Sequence, residues 1–281
     1  MEYILSLSYG KDSLACLGAI AELGWQLDRI IHAEIWANET IPADLPPMVE
    51  FKDKADKIIK KRYGITVEHV SAGITYEEIF YHYVKNKGKS INSGHINGFP
   101  MIKGAWCNSK LKVAALNKID KNAVSYIGIA YDEPKRFKVL SAKKLSPLVA
   151  AKWTEKMCYD WCKKNDLLSP IYESSTRGGC WFCHNQSVEQ LRLLRHNYPD
   201  LWELLMQWDK DSPITFKPDH AVHDFDKRFQ LEDLNIIIPN DRRFRWKCLN
   251  DHTFNGQLMY FVCHDDTQRK ELICQNLLTN R

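Results

Sequence analysis

The 281-residue sequence has no apolar run long enough to cross a bilayer, which needs about 20 consecutive apolar residues. It also lacks the charged start and the cleavage site of a secretory signal peptide. Net charge is low, because 39 Lys and Arg oppose 35 Asp and Glu, and this balance gives only mild support for an anionic partner. Internal repeats and low-complexity tracts are absent. We therefore expect a cytoplasmic protein that has no membrane partner.

A common P-loop is absent as well, since G-x-x-x-x-G-K-[ST] would need glycine where Leu5 stands. Instead, the apolar run Tyr3 to Leu7 leads into SYGKDS, Ser8 to Ser13, and then into the periodic segment Leu14 to Leu23. This order predicts a strand, a tight turn and a helix start, whose unpaired N–H groups would face an anion. The turn therefore predicts a phosphate cradle, and an ordinary capped strand-to-helix turn is the alternative.

The residue types in this turn suit a phosphate. Gly10 lets backbone approach a ligand closely, and the hydroxyls of Ser8 and Ser13 can donate hydrogen bonds. Lys11 can place a cation on a phosphate or on a departing pyrophosphate. Asp12 would orient the loop or reach a metal.

Strands and helices alternate in the first half of the chain, which predicts an α/β fold with a parallel twisted sheet and helices on both faces. After the first strand and helix we expect a strand over Arg29–Ala37, a helix over Pro47–Tyr63 that Gly64 closes, a strand over Ile65–Val70, helices over Thr75–Lys85 and Asn108–Ile119, and a strand over Val124–Ile129. The stretch from Gly88 to Gly104 reads as a long loop.

The second half has a different pattern. It predicts helices over Trp153–Asn165 with Thr154 as the cap, Ser187–His196 and Pro199–Asp209. We therefore expect residues 1–186 to form the α/β domain and residues 187–281 to form a smaller helical or irregular appendage.

Charged residues follow the strand predicted over Val124–Ile129. Asp132 and Glu133 precede Lys135 and Arg136, which places both charge signs at the carboxyl edge of the sheet, beside SYGKDS. Arg136 suits bidentate phosphate contact, and two lysines on the helix after Cys107, Lys110 and Lys112, could add point charges. A solvated turn is the alternative.

Nine cysteines in a cytoplasmic chain are not expected to form disulfides. Cys180 and Cys183 form a C-x-x-C that Gly178 and Gly179 flank, a spacing that suits tetrahedral zinc or one corner of an iron–sulfur cluster. A redox pair or buried thiols are the alternatives.

Further ligands for such a centre are present elsewhere. Cys107 lies where a long loop turns into a helix, and Cys158 and Cys162 lie one helical turn apart, so that either could be a fourth ligand. The aromatic neighbours of that pair also suit a core position, and His184 is a substitute ligand. The remaining candidates are two expected core thiols, Cys16 and Cys274, and a cluster without familiar metal spacing, Cys248, His252, Cys263 and His264.

A basic and aromatic run near the end of the chain suits nucleic acid, since rings can stack on bases and cations can hold phosphates. An ordinary surface strand with snorkelling arginines is the alternative. The run comprises Arg242, Arg243, Phe244, Arg245, Trp246 and Lys247.

Four segments together resemble one family, the PP-loop ATP pyrophosphatases, and within it the phosphoadenosine phosphosulfate (PAPS) reductase-like branch. SYGKDS resembles the S-x-G-K-D-S turn of that branch. GFPMIKGAWCNSKLK is similar to its tryptophan-cysteine and leucine-lysine segment, YIGIAYDEPKRF to its glycine, acidic and arginine motif, and YESSTRGGCWFC to its cysteine-tryptophan-x-cysteine signature. The four motifs occur in the family's order between Tyr3 and Gln186.

The resemblance implies an adenine nucleotide alpha hydrolase-like fold that binds ATP or a related adenine nucleotide with Mg²⁺. It places catalysis on Lys11, Asp12 and Arg136. The implied nucleotide-binding residues are Ser8, Tyr9, Gly10, Lys11, Asp12, Ser13, Lys110 and Arg136. It also implies one zinc or 4Fe–4S centre on Cys107, Cys180, Cys183 and a helix cysteine, for which we choose Cys162.

The sequence departs from the branch at its end. Cys274 lies in LICQNLL, without the glycine and histidine that accompany the nucleophilic cysteine of true PAPS reductases, and Ala105 stands where the branch often has arginine. The resemblance therefore favours adenylation of a substrate with pyrophosphate release, in sulfur transfer or nucleic-acid modification, with a thiol or sulfur-donor protein as partner. The alternatives are adenylyl-sulfate or PAPS reduction, and a non-catalytic module that senses nucleotides or binds nucleic acid.

Overall fold

The computed structural model describes residues 1–85, 93–101, 103–117, 122–138, 140–174, 178–240, 244, 246, 253–254 and 257–258. The chain divides into two compact units, Met1–Gln186 and Ser187–Arg281, and each is a body of its own. Several residues singled out above lie outside the described part: Arg242, Arg243, Arg245, Lys247, Cys248, His252, Cys263, His264 and Cys274. Among the described helices, none is both long enough and apolar enough to cross a membrane.

The first unit is built on a five-stranded, wholly parallel sheet with the strand order β3-β2-β1-β4-β5. The strands are β1 (Tyr3–Leu7), β2 (Arg29–Ala33), β3 (Val67–Val70), β4 (Val124–Tyr126) and β5 (Lys144–Leu145). Leu5 of the central strand β1 lies beside Ile30 on one side and beside Tyr126 on the other. The predicted α/β class with a parallel sheet is confirmed.

Helices connect these strands. They are α1 (Lys11–Leu23), α2 (Pro46–Tyr63), α3 (Tyr76–Phe80), a π-helix (Asn108–Val113) that continues into α4 (Ala114–Leu116), α5 (Pro134–Phe137), α6 (Pro147–Ala150), α7 (Glu155–Lys164) and α8 (Ile171–Ser174). Gly64 ends α2 at φ 72°, which is the left-handed conformation that glycine adopts without strain. Thr154 caps α7 by accepting a hydrogen bond from the Met157 N–H at 3.3 Å.

Alternation along β1 divides the core between the two faces of the sheet. Leu5 and Leu7 belong to the larger cluster, which includes buried residues of α1, α2 and α7. Ile4 belongs to a smaller cluster with Ile31 of β2, against which Leu116 of α4 packs. Both faces of the central strand are thereby buried, as expected for a parallel sheet.

The helix predicted over Thr75–Lys85 is shorter in the structure, where α3 ends at Phe80. The reason is a competing pairing of the backbone. Val84 donates its N–H to the His95 carbonyl at 2.8 Å, and Tyr83 forms an antiparallel bridge with Ile96. These bonds hold the chain after α3 extended against the returning loop.

The second unit contains α9 (Val188–Asn197), α10 (Pro199–Asp211), α11 (Val222–Asp233) and a short antiparallel pair, β6 (Thr253–Phe254) and β7 (Gln257–Leu258). Helix α11 was not anticipated from the sequence. Its buried Arg228 lies against the rings of Phe244 and Trp246, with the guanidinium carbon 4.1 Å and 5.2 Å from the two ring centroids. These two rings of the basic and aromatic run are therefore engaged in packing within the unit, which is not the arrangement expected for stacking on bases.

Candidate functional site

The SYGKDS turn lies at the carboxyl end of β1. This is the point where the strand order reverses, since β2 and β3 follow on one side of β1, whereas β4 and β5 are added on the other. Ligands of open α/β sheets bind in the crevice at such a point. Helix α1 begins at Lys11, within SYGKDS, so its N-terminal N–H groups face this crevice.

Ser13 braces the turn from within. Its hydroxyl oxygen accepts hydrogen bonds from the Ser8 N–H at 3.1 Å and from the Ser8 hydroxyl at 3.0 Å. Its own proton goes to the Gly10 carbonyl at 2.9 Å. The sequence suggested that both hydroxyls donate to a phosphate, whereas in the structure both protons are used inside the turn. Ser8 and Ser13 therefore fix the shape of the cradle.

Tyr9 anchors the turn to the neighbouring elements. Its backbone has φ 56°, a left-handed conformation that is strained for a non-glycine residue. The buried hydroxyl donates to Asp56 Oδ1 at 2.5 Å and lies 3.1 Å from His69 Nε2. His69 Nε2 in turn lies 2.8 Å from Asp56 Oδ2, and this hydrogen bond between His69 and Asp56 raises the pKa of His69 above the usual value. The side chain of Tyr9 thus ties the turn to α2 and β3, so its hydroxyl is not free for a nucleotide.

Lys11 and a group of acidic residues meet beside the turn. The Lys11 ammonium lies 2.8 Å from Asp12 Oδ1 and 3.6 Å from Glu155 Oε2. Burial lowers the pKa of Lys11, but the hydrogen bond and charge of Asp12 outweigh burial, so the pKa is raised. One carboxylate oxygen from each of Asp12, Glu133 and Glu155 lies within 4.8 Å of the others, and no other such group of His, Cys, Asp or Glu occurs in the part of the chain described. Oxygen donors of this kind suit Mg²⁺.

Arg136 joins this acidic group through an ion pair with Glu133. Its Nη1 bonds both oxygens of Glu133, at 2.6 Å and 2.8 Å, and the side chain is exposed. The structure thus brings together Lys11, Asp12 and Arg136, the three residues assigned to catalysis, by way of Glu133 and Glu155. Glu133 belongs to a charged motif of the sequence, whereas Glu155 belongs to none, and its only signal is its position in the first turn of α7.

A series of hydrogen-bonded side chains in the wall of the crevice was not predicted from the sequence. His32 of β2 donates from Nδ1 to the Leu7 carbonyl at 2.9 Å, so Nε2 accepts from the Lys52 ammonium at 2.8 Å. Lys52 also pairs with Asp44 at 2.5 Å. Burial first, and then the charge of Lys52, lower the pKa of His32 to about 3, so the ring is neutral. A histidine inside the apolar strand RIIHA was the signal that could have located this series.

Tyr172 reaches the turn from far along the chain. The Lys11 backbone N–H, the first of α1, donates to its hydroxyl oxygen at 2.9 Å. The ring of Tyr172 also lies edge-on to the ring of Tyr159, with centroids 6.4 Å apart. In the sequence this tyrosine is only the first residue of YESSTRGGCWFC, and no local pattern marks it as part of the site.

A cavity of about 260 Å³, close to the lower end of the range for small-molecule sites, lies beside the turn, although the acidic group around Lys11 is not part of its lining. Ser8 and Gly10 of the turn line it, together with Tyr172, Lys112 and Cys180. Of the two lysines on the helix after Cys107, it is Lys112 that borders the cavity, whereas Lys110 is exposed and does not. The C-x-x-C therefore reaches the same cavity as the SYGKDS turn.

Cys107, Cys180 and Cys183 form a group of neighbouring thiols. The Cys183 N–H donates to the Cys180 carbonyl at 3.0 Å, which closes the C-x-x-C turn. Burial, and then the proximity of Cys183, raise the pKa of Cys107. Burial also raises the pKa of Cys180 to about 12, although nearby Lys112 opposes this. The three sulfurs are neighbours but are not drawn to within 4.8 Å of one another.

Aromatic side chains surround this thiol group. The Tyr76 ring lies 4.8 Å from Trp106 and 4.2 Å from Phe182, and burial followed by the three nearby cysteines raises its pKa. In the described residues, the buried Nε1–H of Trp106 has no acceptor. A buried donor without a partner beside three thiols fits a bound metal–sulfur centre, whose sulfur atoms accept hydrogen bonds.

The expected fourth ligand lies elsewhere, which corrects the sequence assignment. The buried Cys162 thiol donates to the Lys11 carbonyl at 3.2 Å. Cys158 hydrogen-bonds to Asp12, and burial raises its pKa to about 12. Both belong to the core between α1 and α7, together with Cys16. They are protonated thiols next to the SYGKDS turn. His184, the other alternative, is buried directly after Cys183.

Comparison of this chain with protein-family models, with curated proteins and with solved structures finds no match.

Proposed function

We propose that this protein is a PP-loop ATP pyrophosphatase of the PAPS reductase-like type, with an adenine nucleotide alpha hydrolase-like fold. One observation carries the proposal. A phosphate turn at the switch point of a parallel sheet lies beside Lys11 and three converging carboxylates, and it lines the same cavity as a C-x-x-C. The turn suits an anion, the carboxylates suit its metal ion, and the cysteines suit a second, sulfur-based centre.

The residues around the turn would divide the work on ATP. The N–H groups at the start of α1 would bind phosphate oxygens, and the ammonium of Lys11 is close enough to the turn to stabilise charge on pyrophosphate. Mg²⁺ held by Asp12, Glu133 and Glu155 would supply further neutralisation of the phosphates. Arg136, now paired with Glu133, is placed to exchange that partner for a phosphate.

The reaction that we propose is adenylation. A nucleophilic oxygen of the substrate attacks the α-phosphorus, the bond between the α-phosphorus and the bridging oxygen breaks, and pyrophosphate leaves with the bonding electrons. The residues of the turn would hold the triphosphate in line, and this positioning is a main contribution to phosphoryl-transfer catalysis. A nucleic acid is the substrate class that we favour, with a thiol or sulfur-donor protein as the partner for a following sulfur transfer.

Cys107, Cys180 and Cys183 would hold zinc or a 4Fe–4S cluster. Three neighbouring thiols, the closed C-x-x-C turn and the Trp106 N–H, which has no acceptor among the described residues, support this assignment. The three sulfurs would have to draw together around the ion or cluster. Such a centre would supply either structural rigidity or sulfur chemistry at the border of the nucleotide cavity.

The test is ATP–pyrophosphate exchange in the presence of candidate nucleic-acid substrates. We expect exchange in the wild type, its loss in Lys11→Ala, and its retention in the matched control Lys110→Ala, because Lys110 is exposed outside the cavity. Absence of exchange with every candidate, together with unchanged ATP binding in Lys11→Ala, would contradict the proposal. Sulfite release from adenylyl sulfate or PAPS would favour the reductase activity instead, and tight ATP binding without turnover would favour a sensor.

A further inference from the structure

Tyr172 occupies the position at which an anion would meet the first helix N–H. The phenol oxygen accepts the Lys11 N–H at 2.9 Å, and it also lies 3.5 Å from the place where a Cβ on Gly10 would be. Tyr172 borders the cavity together with Ser8 and Gly10. The phenol is therefore part of the phosphate cradle although it comes 161 positions later in the chain.

The hydrogen-bonding capacity of this phenol is not used up by Lys11. A tyrosine hydroxyl can accept and also donate one hydrogen bond. Lys11 takes the acceptor position, because a backbone N–H can only donate, so the phenol proton remains to be given to an acceptor. Burial raises the pKa of Tyr172, although the Lys11 N–H opposes this, so the proton is present at neutral pH.

The hydroxyls of Ser8 and Ser13 cannot serve this purpose, because their protons are already given within the turn. The Tyr9 hydroxyl gives its proton to Asp56, so of the four hydroxyls described at the turn, only that of Tyr172 has no acceptor among the described residues. A phosphate oxygen in the cavity can only accept hydrogen bonds. The Tyr172 hydroxyl suits it, because the Lys11 N–H orients this hydroxyl and leaves its proton for another acceptor.

We propose that Tyr172 is a phosphate-binding residue of this site, which donates its hydroxyl proton to a phosphate oxygen of the nucleotide while its oxygen fixes the Lys11 N–H. The inference rests on the proposed function. It gives the segment before the C-x-x-C a direct contact with the ligand, so the nucleotide is held by both ends of the first unit's sequence.

The experiment compares Tyr172→Phe with the wild type by calorimetric titration with Mg-ATP and, separately, with adenosine. We expect ATP to bind about tenfold more weakly, as for the loss of one hydrogen bond to a charged group, and adenosine to bind as it does to the wild type because it has no phosphate. Tyr159→Phe is the matched control, since it removes a hydroxyl from the ring next to Tyr172. The control should bind ATP like the wild type.

The outcomes separate the two claims. A wild type that binds no ATP would refute the proposed function itself. A wild type that binds ATP, with Tyr172→Phe binding it equally or more tightly, would refute only the role of Tyr172, as would an equal loss of ATP and adenosine affinity. If Tyr172→Phe is poorly folded, Tyr172→Gln and Tyr172→Leu are compared, and only Gln retains a donor. Equal ATP affinity of these two variants would also overturn the inference.

Discussion

Gly128 offers the sharpest test of how the site is built. It follows β4, and a Cβ at this position would lie 2.6 Å from the Ser13 nitrogen, 2.7 Å from the Asp12 carbonyl carbon and 2.8 Å from the Ser13 Cα. All three atoms are backbone of the first turn of α1, so no side chain can rotate away. We predict that Gly128→Ala displaces the start of α1 and, with it, the SYGKDS turn.

The size of the effect follows from these distances. Ordinary contacts of a Cβ begin at 3.4 Å, so the two backbones must separate by 3.4 − 2.6 = 0.8 Å. Overpacking of this kind costs about 1–3 kcal/mol of unfolding free energy. Because a misplacement of about 1 Å can cost about a hundredfold where groups must be aligned, we expect ATP affinity to fall at least about tenfold.

Urea unfolding and titration with Mg-ATP measure the two effects separately. The matched control is Gly18→Ala in the middle of α1, where the Cβ would meet the Trp161 ring at 2.5 Å and the Trp153 ring at 2.9 Å. The control should lose a similar amount of stability and keep its ATP affinity within about twofold, because the displaced groups are side chains two turns from Lys11. A Gly128→Ala variant with unchanged stability and unchanged affinity would refute the reasoning.

Three further predictions concern the anchors of the turn, the buried histidine and the thiols. Tyr9→Phe removes a hydrogen bond to Asp56 and should lower the unfolding free energy by about 1–3 kcal/mol, measured in urea. The pKa of His32 is about 3 in the folded protein and 6.5 in the unfolded chain, so between these values the unfolded chain binds a proton that the folded protein does not. The unfolding free energy of the wild type should therefore fall from pH 6.5 towards pH 3, by up to about 1.4 kcal/mol per pH unit through His32 alone. In His32→Gln that part of the slope should vanish. After anaerobic purification, Cys183→Ser should lose most of the bound zinc or iron, whereas Cys162→Ser should keep it, as measured by metal analysis.

Each of these has an outcome that contradicts it. Unchanged stability of Tyr9→Phe would mean that the phenol does not anchor the turn. If the difference in unfolding free energy between wild type and His32→Gln is constant from pH 6.5 to pH 4, the histidine is not buried in its neutral form. Equal metal content in the two cysteine variants would return Cys162 to the ligand set, and absence of metal from the wild type would remove the centre.

Sequence patterns predicted those parts of the fold that depend on residues close together in the chain. The strand–turn–helix order around Ser8–Ser13, the end of α2 at Gly64 and the cap of α7 at Thr154 all follow from contacts within a few positions. The prediction of Cys162 as the fourth metal ligand depended instead on contacts between residues that are far apart in the chain. The Cys162 thiol donates to the Lys11 carbonyl, which is 151 positions away in the sequence, and the spacing of residues along a helix cannot predict such a contact.

Long-range contacts also explain the other omissions. Tyr172, Glu155 and Lys52 acquire their roles through partners that only the folded chain brings near. The end of α3 was wrong because a returning loop competes for its backbone hydrogen bonds. Helix α11 was missed because Arg228 and Glu232, two buried charged residues, stand on its inner face and interrupt the apolar period.

The central place of β1 has a consequence for biosynthesis. β1 is made first, yet one of its two edges stays open until β4 arrives, since Tyr3 pairs with Val124. During synthesis, the unpaired edge of β1 is therefore exposed to non-native pairing while more than a hundred further residues are added. Parallel sheets also form slowly, which prolongs this exposure. The SYGKDS turn is completed later still, when Tyr172 accepts the Lys11 N–H, so the turn takes its final form only after most of the first unit has been synthesised.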